Sequence, residues 1–74
     1  METPNQNSPL TPEEIELLYR VALGESNREI SERFGDPPSV VGLRVSLIQQ
    51  KLGVGDRTAA AKYGAKHGLF NSVM

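Results

Sequence analysis

Glu13, Glu14 and Glu16 crowd into four consecutive positions, the tightest group of ionisable side chains in the chain. Paired carboxylates can do general acid–base work, but only across a cleft that holds a substrate between them. A chain of 74 residues has little capacity for one. Glu13 and Glu14 also fit a plainer role in the first turn of a helix, where acids face the positive end of its dipole. His67 is the single histidine and cysteine is absent. A lone imidazole completes neither a metal site nor a catalytic triad. No enzyme, cofactor or metal is therefore expected. His67 suits a helix C-terminus, where a cation is favourable. Tyr19 and Tyr63 could stack on bases, although a helical tyrosine is more often a half-buried ring with a wet hydroxyl, which is the reading taken for them.

The formal net charge of −1 argues against a strongly basic polyanion binder, yet the charge is unevenly spread. Through Gly35 there are three basic residues (Arg20, Arg28 and Arg33) against seven acidic ones. From Asp36 onward five basic residues (Arg44, Lys51, Arg57, Lys62 and Lys66) face two acidic ones, Asp36 and Asp56. A basic second half could meet phosphates while an acidic first half faces away; an ordinary mixed surface fits the same charges. Without cysteine nothing points to secretion. The first eight residues lack the basic and apolar regions of a signal peptide, and no apolar run approaches a membrane span. A cytoplasmic protein, with no membrane partner, is expected.

Short helices must position these groups. Residues 1–9 are rich in Asn, Gln, Ser and Pro and are expected to form a flexible arm. Thr11-Pro12-Glu13-Glu14 predicts a helix start: Thr11 caps, Pro12 takes the first helical position and Glu14 completes a capping box. Leu10 and Ile15 can staple that start. Leu18, Val21 and Ala22, with Leu17 beside them, give the helix an apolar face up to Gly24. Ser26 and Glu29 predict a second capping box, opening a short helix that buries Ile30 and Phe34 and stops at Gly35. Pro38 suits the start of a third helix, with Pro37 outside it. Val41, Val45, Ile48 and Leu52 form one buried stripe, and Gly53 closes that helix. Asp56 caps a fourth helix to about Lys66. Gly68 ends it, and Leu69 and Phe70 are expected to fold back onto the core. No segment alternates as a strand does. The class is all-α, and two short helices about a tight glycine-containing turn suggest a helix-turn-helix, a pattern many small helical domains share.

Five pieces in one order make the pattern specific. They are Leu10-Thr11-Pro12-Glu13-Glu14; Gly24-Glu25-Ser26-Asn27-Arg28-Glu29-Ile30; Lys51-Leu52-Gly53-Val54; Asp56-Arg57-Thr58-Ala59-Ala60; and His67-Gly68-Leu69. From Leu10 to Leu69 the chain resembles the LuxR-type helix-turn-helix domain without gaps. The resemblance implies a four-helix domain over residues 10–70, with a tail at 71–74. It also implies a bacterial transcription regulator that places its third helix in the major groove of double-stranded DNA and often dimerises through its fourth, residues 57–67. Members usually carry a sensing domain before this module. If the sequence is complete, the protein is a stand-alone regulator, controlled by its amount or by a partner protein.

The third helix departs from the family's usual run. Val40 replaces a hydroxyl that often meets a phosphate, Gly42 a basic residue and Arg44 a histidine. Gly42 costs about 1 kcal/mol of helix stability relative to Ala. Asp36 stands where an Ile is usual, which removes one core residue, and Pro37 where a capping Ser or Thr is common. At about 100° per residue the face opposite the buried stripe carries Gly42, Leu43, Ser46, Leu47 and Gln50, with Gln49 at one edge. On the family's docking, Gln50 or Gln49 would pair with adenine, Ser46 with either kind of base edge, and Leu43 and Leu47 with thymine methyls. Phosphates would fall to Arg28, Arg44, Lys51 and Arg57. The alternative is a protein-binding module on the same scaffold. Leu43 and Leu47, extended by Val40, form an apolar surface that could bind a regulator or RNA polymerase. The small residues Ala59, Ala60, Ala61, Gly64 and Ala65 would allow close approach of a second copy along the fourth helix, or simple packing on the domain's own core.

Overall fold

The computed structural model describes residues 9–73. The expected arm lies outside the described residues except for Pro9, and so does Met74 of the expected tail. Four helices follow one another: α1 (Pro12–Ala22), α2 (Asn27–Phe34), α3 (Pro38–Leu52) and α4 (Arg57–Lys66). A 3-10 turn, Leu69–Ser72, closes the chain, and no strand occurs among the described residues. The all-α helix-turn-helix class expected from the sequence is what the structure has.

Local chemistry sets the helix starts. The Thr11 hydroxyl accepts from the Glu14 N–H at 3.1 Å, while Glu14 Oε1 accepts from the Thr11 N–H at 2.8 Å. Ser26 and Glu29 repeat the exchange at the same two distances before α2. Asp56 accepts from the Ala59 N–H at 2.7 Å and starts α4. Each bond satisfies an amide that the helix itself leaves without a partner. α3 has no side-chain cap; Pro37 precedes it in an extended conformation and Pro38, which has no N–H to satisfy, takes the first turn. Gly35 ends α2 with φ of 80°, a left-handed conformation that costs glycine little, and so makes the sharp turn into α3.

The core gathers Leu10 and, from α1, Ile15, Leu17, Leu18 and Val21. Ile30 of α2 joins them, with Val41, Val45 and Ile48 of α3, Ala60 of α4, and Leu69 and Phe70 of the final turn. α1 lies chiefly on α4 and α2 on α3, while α3 also packs on both α1 and α4. Phe34 and Leu52 are only partly buried against this core. Ala22, expected on the inner face of α1, is exposed; it lines a shallow depression of about 320 Å³ shared with Val21, Gly24, Glu25, Arg57, Thr58 and Ala61. Leu69 and Phe70 do fold back, and Val73 packs on the core behind them.

Phe70 explains Gly64. Its ring stands 5.5 Å from that of Tyr19. A Cβ at position 64 would lie 2.5 Å from Phe70 Cζ and 3.1 Å from Leu18 Cδ2. Ala60 and Gly64, two members of the small-residue stripe, thus serve the domain's own packing. Gly64→Ala gains about 1 kcal/mol of helix propensity but forces an overpacking cost of about 1–3 kcal/mol. Its thermal and denaturant midpoints are expected to fall below those of the wild type.

Glu14 is a heavily used carboxylate. Besides its capping bond it receives Lys51 Nζ at 2.9 Å on Oε1 and 2.7 Å on Oε2. Burial raises its pKa, but the Lys51 bond, the Thr11 N–H and the Lys51 charge outweigh burial and hold it below the usual glutamate value. A depressed folded-state pKa means stability that is complete above the unfolded value and lost as pH falls through the folded one. Chemical unfolding followed from neutral to acidic pH is therefore expected to show a loss below the ordinary glutamate range. In Glu14→Gln that component is expected to be absent, at a neutral-pH cost of about 1 kcal/mol or less.

Candidate nucleic-acid interface

α3 can present side chains to a ligand, because one of its faces is buried and the opposite one is open. Val41, Val45 and Ile48 face the core, and with them fixed the outward face follows from the helical repeat. Val40, Leu43, Ser46, Leu47 and Gln50 are all exposed on it, Leu43 at 60% and Leu47 at 44%. Gly42 does not join them. It is half-buried on the flank toward α2, where a Cβ would stand 3.3 Å from Asn27 Nδ2. The missing side chain thus accommodates the close approach of Asn27 on α2, a use of glycine that the sequence, in which Gly42 reads only as a cost to the helix, did not show. Gln49 is half-buried on the same flank.

The opposite flank carries the cations. Arg44 and Lys51 lie two turns apart on the shoulder facing α1, and both are already engaged. Arg44 Nη1 donates to Asp36 Oδ2 at 2.8 Å, and Nη2 stands 3.1 Å from Glu13 Oε1. The desolvation of Arg44 works against its charge, yet Asp36 and Glu13 raise its pKa overall, so it stays a cation throughout. Lys51 pairs with Glu14 as described above. Arg57 is half-buried at the start of α4; its Nη1 donates to Asn27 Oδ1 at 2.6 Å and its Nη2 to the Glu25 carbonyl at 3.0 Å. These bonds tie α4 to the start of α2. Arg28, next to Asn27 on α2, is exposed and makes no ion pair among the described residues.

The structure therefore brings Leu43, Ser46, Leu47 and Gln50 onto one open face, with Lys51 and Arg44 on one shoulder, while Arg28 is exposed on the neighbouring α2. Arg57 is set into the scaffold. The sequence did not point to Asp36, Glu13 and Asn27 as partners of these residues. Asp36 and Arg44 are eight residues apart and share no helix, and only the packing of α1 brings Glu13 to them.

The remaining candidates have structural surroundings. Glu13 and Glu14 are ion-pair partners, as above. His67 caps the C-terminal end of α4 and lies over Tyr63, ring centroids 4.1 Å apart. Among the described residues no three His, Cys, Asp or Glu side chains gather as a metal-binding group, and no helix is long and apolar enough to cross a membrane.

Comparison with known proteins agrees with this geometry. Residues 8–63 match the family model described as bacterial regulatory proteins, luxR family. The chain is 41% identical over 69 residues to the transcriptional regulatory protein LnrK of Bacillus subtilis, covering 93% of this chain and 31% of that protein. It is 39% identical over 62 residues to the transcriptional regulatory protein LiaR of the same organism, covering 84% and 29%. The response regulator protein VraR of Staphylococcus aureus is 42% identical over 60 residues, covering 81% and 29%. The chain thus spans about three tenths of the length of these relatives. It belongs to the luxR family of bacterial regulatory proteins, and what it carries is that family's DNA-binding helix-turn-helix domain of transcription regulation, not an enzyme.

Proposed function

We propose that this chain binds double-stranded DNA in a sequence-specific way, with α3 in the major groove, and regulates transcription in the cytoplasm of a bacterium, at the nucleoid when bound to DNA. The domain is residues 10–70. The observation that carries this reading is the open face of α3: a helix of 15 residues held on one side only, in a chain of the luxR family. Gln50 and Ser46 offer hydrogen-bonding groups suited to base edges, and Leu43 and Leu47 offer apolar contact to thymine methyls. Lys51, Arg44 and Arg28 flank them at positions suited to phosphates. Arg57 supports the interface by fixing the start of α2, and any phosphate contact it makes would use what its inward bonds leave free.

Dimerisation through α4 belongs to the same proposal. Ala60 and Gly64 are occupied by the core, which leaves the partly exposed Ala59 and Ala61 and the exposed Ala65 for a second copy. Two copies on DNA would read half-sites about one helical turn apart, roughly 34–36 Å.

One observation favours a second reading. Val40, Leu43 and Leu47 form an exposed apolar stripe beside cations that are already paired, a surface suited to a protein partner such as a regulator or RNA polymerase. Salt separates the two readings. Duplex binding weakens steeply as salt rises, whereas apolar association with a protein does not.

Selection from a random duplex pool, followed by binding titrations, tests the DNA reading. Gln50→Ala is expected to cost about 1–3 kcal/mol on the selected site and little on unrelated duplex. Lys51→Ala is expected to weaken all duplexes alike and to reduce the salt slope by about one. Wild-type affinity in both variants would remove α3 from the groove. A palindromic selected motif is expected if the dimer forms; a single half-site bound by a monomer in sedimentation would remove the dimer.

A further inference from the structure

The cationic shoulder of α3 carries more negative charge than positive. Two cations, Arg44 and Lys51, meet three carboxylates, Glu13, Glu14 and Asp36, which leaves one net negative charge where a phosphate would have to sit. A phosphate bound there meets that excess negative charge, and is favoured if a carboxylate gives way. The three carboxylates differ in how firmly they are held.

Glu14 is fixed. It caps α1 through the Thr11 N–H, gives both oxygens to Lys51 and is only 16% exposed, so moving it would undo the start of α1. Asp36 is held in the turn between α2 and α3 and receives a part-buried bond from Arg44 at 2.8 Å. Glu13 is loose. Its side chain is 74% exposed, and the pair with Arg44 at 3.1 Å is its one side-chain interaction among the described residues. Its place in the first turn of α1 keeps it beside Arg44 whether or not the pair is made. Arg44 remains accessible at 28% and presents five N–H donors in a planar fork, so it can exchange one acidic partner for another while Asp36 keeps its orientation.

We propose that Glu13 limits the strength of duplex binding: its carboxylate occupies the Arg44 guanidinium as a built-in competitor of the DNA phosphate, and binding exchanges one for the other while Asp36 holds Arg44 in place. The proposal rests on the DNA-binding reading above. It makes Glu13 a residue that sets affinity without touching the bases.

The test is duplex titration by fluorescence anisotropy over a range of salt, with wild type, Glu13→Gln, Glu16→Gln, Arg44→Ala and the double variant Glu13→Gln/Arg44→Ala, the double variant being compared with Arg44→Ala. Glu16 is exposed on the same helix and engages no cation among the described residues, so Glu16→Gln removes the same charge without freeing Arg44. Glu13→Gln is expected to tighten binding to every duplex by about three- to tenfold at low salt and to steepen the salt slope by about one. The gain is expected to vanish when Arg44 is alanine, because it acts through that side chain. A wild type that binds duplex, with Glu13→Gln no tighter than Glu16→Gln, overturns the competitor role and leaves the DNA reading standing. A gain that survives Arg44→Ala overturns it in the same way. Retention of no duplex by wild type or any variant overturns the DNA reading and the competitor role together.

Discussion

Burial of Val41, Val45 and Ile48 is the constraint on which the other features rest. These three side chains fix the rotation of α3 about its own axis, and with it which residues face outward. The fixing surface is assembled from far apart in the chain: Ile15 and Leu18 of α1, Ile30 of α2 and Ala60 of α4 join the same core. α2 approaches closely enough for Asn27 to reach Gly42, and Phe70 closes the far side over Gly64. A small domain has little stability to lose, so each of these contacts bears on the orientation of the exposed face.

Electrostatics refine what packing sets. Arg44, Lys51 and Arg57 reach back to α1, the preceding turn and the start of α2, rather than projecting freely from a basic surface. The net charge of −1 is thereby expressed locally: two cations beside α3, Arg44 and Lys51, are shared with carboxylates. A polyanion at Arg44 or Lys51 competes with them, while Leu43 and Leu47 stay open whatever the charges do. Screening by salt acts on both sides of that competition, which makes the balance of charges around Arg44 and Lys51 more informative than their number.

Much of the fold was legible because its signals are local. Thr11 with Glu14 and Ser26 with Glu29 are three residues apart, and each box stands in the structure where the spacing placed it. The stripe Val41, Val45 and Ile48 follows from helical periodicity alone. Less was legible at the interface, because its determinants are distant in sequence. Lys51 and Glu14 are 37 positions apart, and Arg57 and Asn27 are 30 apart; no repeat or local motif encodes such a pairing. Gly42 read in the sequence only as a weakened helix; its fit against Asn27 depends on the position of α2, which no local signal encodes. Ala22 shows the same limit in the core: its place on the helical wheel is apolar, yet no neighbouring element covers it.

The orientation of α3 is tested most directly by following backbone amide signals while a duplex carrying a selected site is added. If α3 meets the groove, the amides of Val40, Leu43, Ser46, Leu47 and Gln50 shift in proportion to bound duplex, while those of Leu17, Leu18 and Phe70 in the core stay in place. Amides of α3 that remain unmoved at saturation, with shifts confined to another surface, would contradict that orientation.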